Sequence, residues 1–171
     1  VLRSTEAVLG GSAALKLFCN GFDDVGDYDI FVPSWAHDEV VWYLSAEEHY
    51  AIDDTSVVDN RGRPMYSDPN YLTGISRVTT LRRPSTAVDI IASTDDCATT
   101  PLRTSWTTLL MNFVTADGAC CAYPSLTAQH RGLFHMGRIL DPSYPHDGTP
   151  TDVAGMNKYI KRGFSFGGHP T

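Results

Sequence analysis

The sequence predicts an α/β (α+β) fold, a mixed β-sheet flanked by helices, and three observations predict it. Short β-type apolar runs stop at glycine or proline: Glu6–Leu9 at Gly10-Gly11, and Tyr28–Val32 at Pro33. Two longer β-type runs, Ile75–Leu81 and Ala87–Ala92, flank Arg82-Arg83-Pro84-Ser85-Thr86, which reads as a hairpin turn fixed by Pro84. Helical spacing and capping residues fill the stretches between and after these runs. At 171 residues the chain is the size of one domain. Residues 1–98 are expected to carry the sheet and residues 99–171 a mostly helical C-terminal portion packed alongside.

In chain order, Glu6–Leu9 is a buried strand delivered to the Gly10-Gly11 turn, Ser12 is placed to cap a helix, and Ala13–Phe18 are helix formers. The polar connection Cys19–Gly26 leads to the β-type run Tyr28–Val32, closed by Pro33. Ser34 is a second N-cap, with Asp38 and Glu39 favouring the positive end of a helix whose apolar face is Val40, Val41 and Leu44 and which runs to about His49. Residues 51–73 read as irregular, with a short strand near Thr55–Val58 and turns at Asn60–Pro64 and Ser67–Asn70. After the hairpin, Trp106, Leu109, Leu110 and Phe113 predict a helix over 104–115 ended by Asp117-Gly118. A short helix follows over 125–134, then a proline-rich loop over 140–151 and a last helix over 152–162 closed by Gly163.

Composition narrows the function. A formal net charge of -7 disfavours extended nucleic-acid binding, because holding a phosphate backbone needs a basic surface. The short basic groups Arg77, Arg82, Arg83 and Lys158, Lys161, Arg162 read as solvated faces. The four cysteines, Cys19, Cys97, Cys120 and Cys121, have no CxxC spacing, so an intracellular, cytoplasmic setting is expected. No apolar stretch reaches the roughly 18 to 20 residues of a membrane span, and no membrane partner is expected. The chain opens at Val1 rather than a methionine, consistent with an upstream piece removed together with any targeting information.

The chemistry concentrates in the acids. Alternate residues of a strand share a face, so Asp27 and Asp29 project together, away from Tyr28 and Ile30. Asp89, flanked by Val88, Ile90 and Ile91, is costly on a strand without a partner or task. It joins the other two if its strand lies beside theirs, as sequential antiparallel elements tend to do. Three like charges are relieved by a divalent cation, and Mg²⁺, with Mn²⁺ as an alternative, suits carboxylates, water and substrate phosphates. Gly10 and Gly11 allow close backbone approach, and the helix start at Ser12 offers amides and a dipole for a triphosphate.

These residues resemble the nucleotidyltransferase superfamily typified by DNA polymerase β, the kanamycin nucleotidyltransferases and the small nucleotidyltransferase-like antitoxins. The resemblance rests on Leu9-Gly10-Gly11-Ser12, Asp27-Tyr28-Asp29-Ile30 and Val88-Asp89-Ile90, and covers about residues 6–92. Segments 106–113, 122–134 and 159–166 also look like parts of uncharacterised fungal proteins that share this front half. The resemblance implies the nucleotidyltransferase fold, with Asp27 and Asp29 holding two Mg²⁺ ions, Asp89 completing the catalytic ion and helping to deprotonate the acceptor, and Gly11 and Ser12 gripping the terminal phosphates. The implied reaction is transfer of a nucleoside monophosphate from an NTP donor to a hydroxyl-bearing acceptor (a small molecule, a protein or an RNA end) with release of pyrophosphate. A non-catalytic nucleotide- or protein-binding module on the same fold is the alternative, and a metal-dependent phosphohydrolase a third. In this chain Ala13-Ala14 follow the glycine turn where family members often have a cation, and Lys16 is the first one.

Plainer readings stand beside these. Asp27 and Asp29 could be a solvated turn cap beside Asp23 and Asp24, or part of a calcium loop that lacks EF-hand spacing. Asp89 could pair with Arg77 or Arg82 across the hairpin. The glycine turn could be an ordinary strand-to-helix connection. The six histidines show no metal-ligand spacing, and Trp42, Tyr43, Trp106, Phe113, Cys120 and Cys121 are expected to be packing residues.

Overall fold

The computed structural model describes residues 1–21, 26–56, 74–134 and 150–168. It is a mixed α/β structure. Its strands are β1 (Val8–Leu9), β2 (Asp27–Val32), β3 (Ala51–Ser56), β4 (Ile75–Arg83), β5 (Thr86–Ser93), β6 (Asn112–Val114) and β7 (Ala119–Cys121). They form a seven-stranded sheet in the order β3-β4-β5-β2-β1-β6-β7. β2 and β5 run parallel, and the other neighbours antiparallel. A separate parallel pair joins β8 (Arg131–Leu133) to β9 (Ser165–Gly167). The helices are α1 (Gly11–Leu15), α2 (His37–Ala46), α3 (Pro124–Ala128) and α4 (Pro150–Lys161).

The alternation along the central strands decides which face is dry. Val32, Leu81, Val88, Ile90 and Ala92 point to one side and are covered by Val40 and Leu44 of α2. On the other side, Val8 and Phe31 pack with Ala98 and Leu102. A third cluster joins Leu15 and Cys19 at α1 to Leu109, Tyr159 and Phe164, with Trp106 against it. It seats α4 on α1. Each large apolar side chain buried this way contributes about 1.5–3 kcal/mol, and Leu15 and Leu109 are fully buried.

The expected hairpin forms, with Arg83 opposite Thr86 and Pro84-Ser85 as its loop. The last helix also forms, extends back to Pro150, and ends where Gly163 takes a φ of 85°. Other expectations are corrected. β5 lies beside β2 but parallel to it, because the hairpin places β4, not β5, on the far side. Gly10 rather than Ser12 is the N-cap of α1, which has only five residues. α2 begins at His37 after Ala36, and Ser34 instead donates to Asp96 at 3.1 Å.

The helix expected over 104–115 is absent from this described segment. Pro101–Thr104 and Thr108–Leu110 are single 3₁₀ turns, and residues 112–114 are a strand paired with Leu9 and with β7. The physical reason is local. Thr104, Thr107, Thr108 and Val114 are β-branched, the Thr107 hydroxyl accepts from the Leu109 amide, and buried Asn112 donates to the Leu109 carbonyl at 2.9 Å and accepts from the Ala122 amide at 3.2 Å. Asp117-Gly118 therefore turn a hairpin. The helix expected over 125–134 stops at Ala128, since His130 adopts a φ of 54° and Arg131 enters β8.

Trp42 is 62% exposed and not core, and Cys120 is exposed on β7 while Cys121 is half-buried. The strand expected near residues 55–58 overlaps β3 at Thr55 and Ser56, Val57 and Val58 lying outside the described residues, and β3 reaches back to Ala51 through residues expected to be irregular. The turns expected at 60–64 and 67–70, Asp23 and Asp24, and most of the 140–151 loop lie outside the described residues. Among the described residues no helix is long and apolar enough to cross a membrane.

Candidate active site

The acids sit where the sheet changes from apolar to polar. Along β2 the exposure runs from exposed Asp27 through half-buried Asp29 to buried Phe31 and Val32. β2 and β5 are paired residue for residue, Asp27 with Ala87 and Asp29 with Asp89. Register partners project to the same face, so Asp29 and Asp89 stand side by side with Asp27 one pleat away. All three predicted acids are thus on one face of two adjacent strands.

The glycine turn closes on the same point. The Gly10 amide donates to the Asp29 carbonyl at 2.8 Å. Gly11 has a φ of 58°, and a Cβ there would overlap Asp29 Oδ2. Glycine is needed at Gly11 both for its backbone and for the space that Asp29 occupies. The first intrahelical bond of α1 is donated by Ala14 to Gly10, so the amides of Gly11, Ser12 and Ala13 precede it at the helix start.

Electrostatics follow from this crowding. Burial first, and then the charges of Asp89 and Asp27, push the Asp29 carboxyl up to about 6, against an opposing pull from Lys158. Thr80, directly across from Asp89, donates to its Oδ1 at 2.6 Å and fixes the rotation of that carboxylate. The hairpin arginines are engaged elsewhere: Arg77 with Asp38 at 2.7 Å, Arg82 with Asp53, and Arg83 with Glu48 at 3.0 Å. Asp89 is therefore not the acid half of an ion pair with Arg77 or Arg82.

The C-terminal helix brings groups that the sequence reading placed on a solvated face. Tyr159 is buried against Leu15, with Ser12 and Arg162 as hydrogen-bonding neighbours. Burial, chiefly, and the nearby Asp29 charge push its hydroxyl up to about 12 against those two partners. Lys158, exposed beside it, is the cation felt at Asp29. The available signal was the spacing of Lys158 and Arg162, four apart on one helix face. Thr80 carried no signal, because a threonine on a strand is ordinary.

Among the described residues no three His, Cys, Asp or Glu side chains are already gathered as a metal cage. The donor chemistry nevertheless fits a hard divalent cation. The oxygens are carboxylates of like charge in register on one face, and among the described residues none of the three acids has an Arg, Lys or His in ion-pair contact. Asp29 and Asp89, with Asp27 at the rim, are the residues able to hold it. Compared with protein-family models, curated proteins and solved structures, the chain matches none of them.

Proposed function

We propose that this chain is a Mg²⁺-dependent nucleotidyltransferase with the nucleotidyltransferase fold, moving a nucleoside monophosphate from an NTP to a hydroxyl-bearing acceptor and releasing pyrophosphate. The observation that carries the reading is the convergence of Asp29, Asp89 and Gly11: two carboxylates in register, and a glycine turn pressed against one of them. Asp27, Asp29 and Asp89 would hold Mg²⁺, or Mn²⁺. The ions, when bound, supply charge neutralisation and activation of the attacking and leaving oxygens.

The chain's own groups divide the remaining work. The amides of Gly11 to Ala13 are placed to receive phosphate oxygens at the start of α1, next to the acids. Lys158 offers the positive charge that Ala13-Ala14 do not, from α4 rather than from the turn itself. Asp89, its carboxylate fixed by Thr80, is positioned to take the acceptor's proton. Tyr159 holds Ser12, and with it the turn, in place through the α1–α4 contact.

The test is transfer of label from α-labelled NTPs, with Mg²⁺, onto small hydroxyl compounds, protein and RNA ends. Transfer by the wild type that is lost in Asp89→Asn supports the reading. Metal-dependent binding without any transfer favours the alternative, a nucleotide-binding module on the same fold.

A further inference from the structure

We propose that Arg82 binds the acceptor, and that the acceptor hydroxyl belongs to a small compound carrying a phosphate or a carboxylate. This rests on the nucleotidyltransferase reading and names its second substrate by class. Thr80 is the register partner of Asp89, and Arg82 is the partner of Ala87, which itself lies opposite Asp27. Alternate residues of a strand share a face, so Arg82 stands on the face of the three acids. It is the diagonal neighbour of Asp89 on the paired strand, a separation of about 7–8 Å that a long side chain spans. The other two arginines of β4 alternate onto the opposite face, where Arg77 pairs with Asp38 of α2 and Arg83 with Glu48 just beyond it.

Sheet order gives this arginine its task. The strands run β1-β2-β5-β4, so the glycine turn that follows β1 lies on one flank of the acids and Arg82 on the other. Donor phosphates take the first flank, and a hydroxyl whose proton goes to Asp89 arrives from the second. Asp53 of β3 holds the arginine there by accepting from its Nε. The Arg82 side chain is still 58% exposed, and among the described residues its terminal amino groups, the fork that takes an oxyanion, make no ion pair. Its titration is raised chiefly by Asp53 and further by the charges of Asp89 and Asp27, in keeping with its place beside them. Three bare carboxylates repel an anion, so this subsite fills only once a divalent cation has neutralised them. A chain of net charge -7 suits a small anion better than an RNA end, whose backbone brings a charge with every nucleotide.

The test is saturation-transfer NMR of glycerol 3-phosphate, glycerate and glycerol, with Mg²⁺ or with EDTA. At least one of the two anions should bind the wild type with Mg²⁺ and not with EDTA, and glycerol should bind about tenfold more weakly. The tighter anion names the group that Arg82 receives. Arg82→Ala should weaken the anion about tenfold, whereas Arg77→Ala, on the other face of β4, should not. Binding of neither anion, equal binding of glycerol, binding that EDTA leaves intact, or the same loss in both arginine variants would each overturn the proposal. Calorimetry of NTPs with Mg²⁺ on the same samples separates two kinds of failure. NTP binding without an Arg82-dependent anion site overturns this proposal alone; absence of NTP binding overturns the nucleotide reading and the acceptor role with it.

Discussion

Asp29 and Asp89 are register partners across the parallel strands β2 and β5, and burial, together with the charge on Asp89, disfavours ionisation of Asp29. A site so arranged is destabilising once Asp29 is ionised. Asp29 titrates at about 6 in the fold against 3.8 for the free side chain, so between those values the native chain holds a proton that the unfolded chain has released. Stability is lost as pH rises through that window.

Asp29→Asn should therefore raise the melting temperature of the metal-free protein near neutral pH by a few degrees, and the gain should shrink toward pH 4. Thermal unfolding of both proteins across this range checks it. An unchanged or lower melting temperature at neutral pH would mean that neither burial nor the neighbouring charges penalise an ionised Asp29.

Gly11 is the position where backbone and space coincide. Its φ of 58° costs a side-chain-bearing residue about 1–2 kcal/mol, and the added Cβ meets Asp29 Oδ2 as well. Gly11→Ala should lose at least that much stability in urea unfolding. It should also lose Mg²⁺ affinity, because Asp29 must rotate away. Gly118→Ala, where a Cβ meets no neighbour, is the control and should change neither.

His37 gives the fold a sensitivity to acid away from the site. It is 2% exposed at the start of α2, its Nδ1 lies 3.0 Å from Asp38 Oδ1, and its Nε2 is buried without a hydrogen-bond partner. Burial lowers its titration below 6.5, and Arg77 adds to this against the pull of Asp38. The unfolded chain then binds a proton that the native chain refuses, so stability is full above about pH 6.5 and falls as pH drops toward the lowered value. Chemical unfolding at about pH 7.5 and about pH 5.5 should show a wild-type loss that His37→Phe reduces. Equal losses in the two proteins would assign the effect to other groups.

The front half was legible because its signals are short-range. Glycines end β1, alternation sorts Asp27 and Asp29 from Tyr28 and Ile30, and Pro84 marks the hairpin. The direction of β5 against β2 was not legible, since strand order is fixed by long-range packing that no local pattern encodes. Residues 104–115 misled for a different reason: their apolar spacing suits a helix, but buried hydrogen bonds through Thr107 and Asn112 settle the backbone otherwise. The α4 contribution at Lys158 and Tyr159 was visible only as helical spacing, because its target, the α1 turn, lies more than a hundred residues earlier in the sequence.

The measurement that bears most directly on the acidic face is titration calorimetry of each NTP, with and without Mg²⁺, into the wild type and into Asp29→Asn/Asp89→Asn. The expected result is NTP binding by the wild type that requires Mg²⁺ and is lost in the double variant. Binding that is the same in both proteins, or absent from the wild type with Mg²⁺ present, would contradict the metal–nucleotide site.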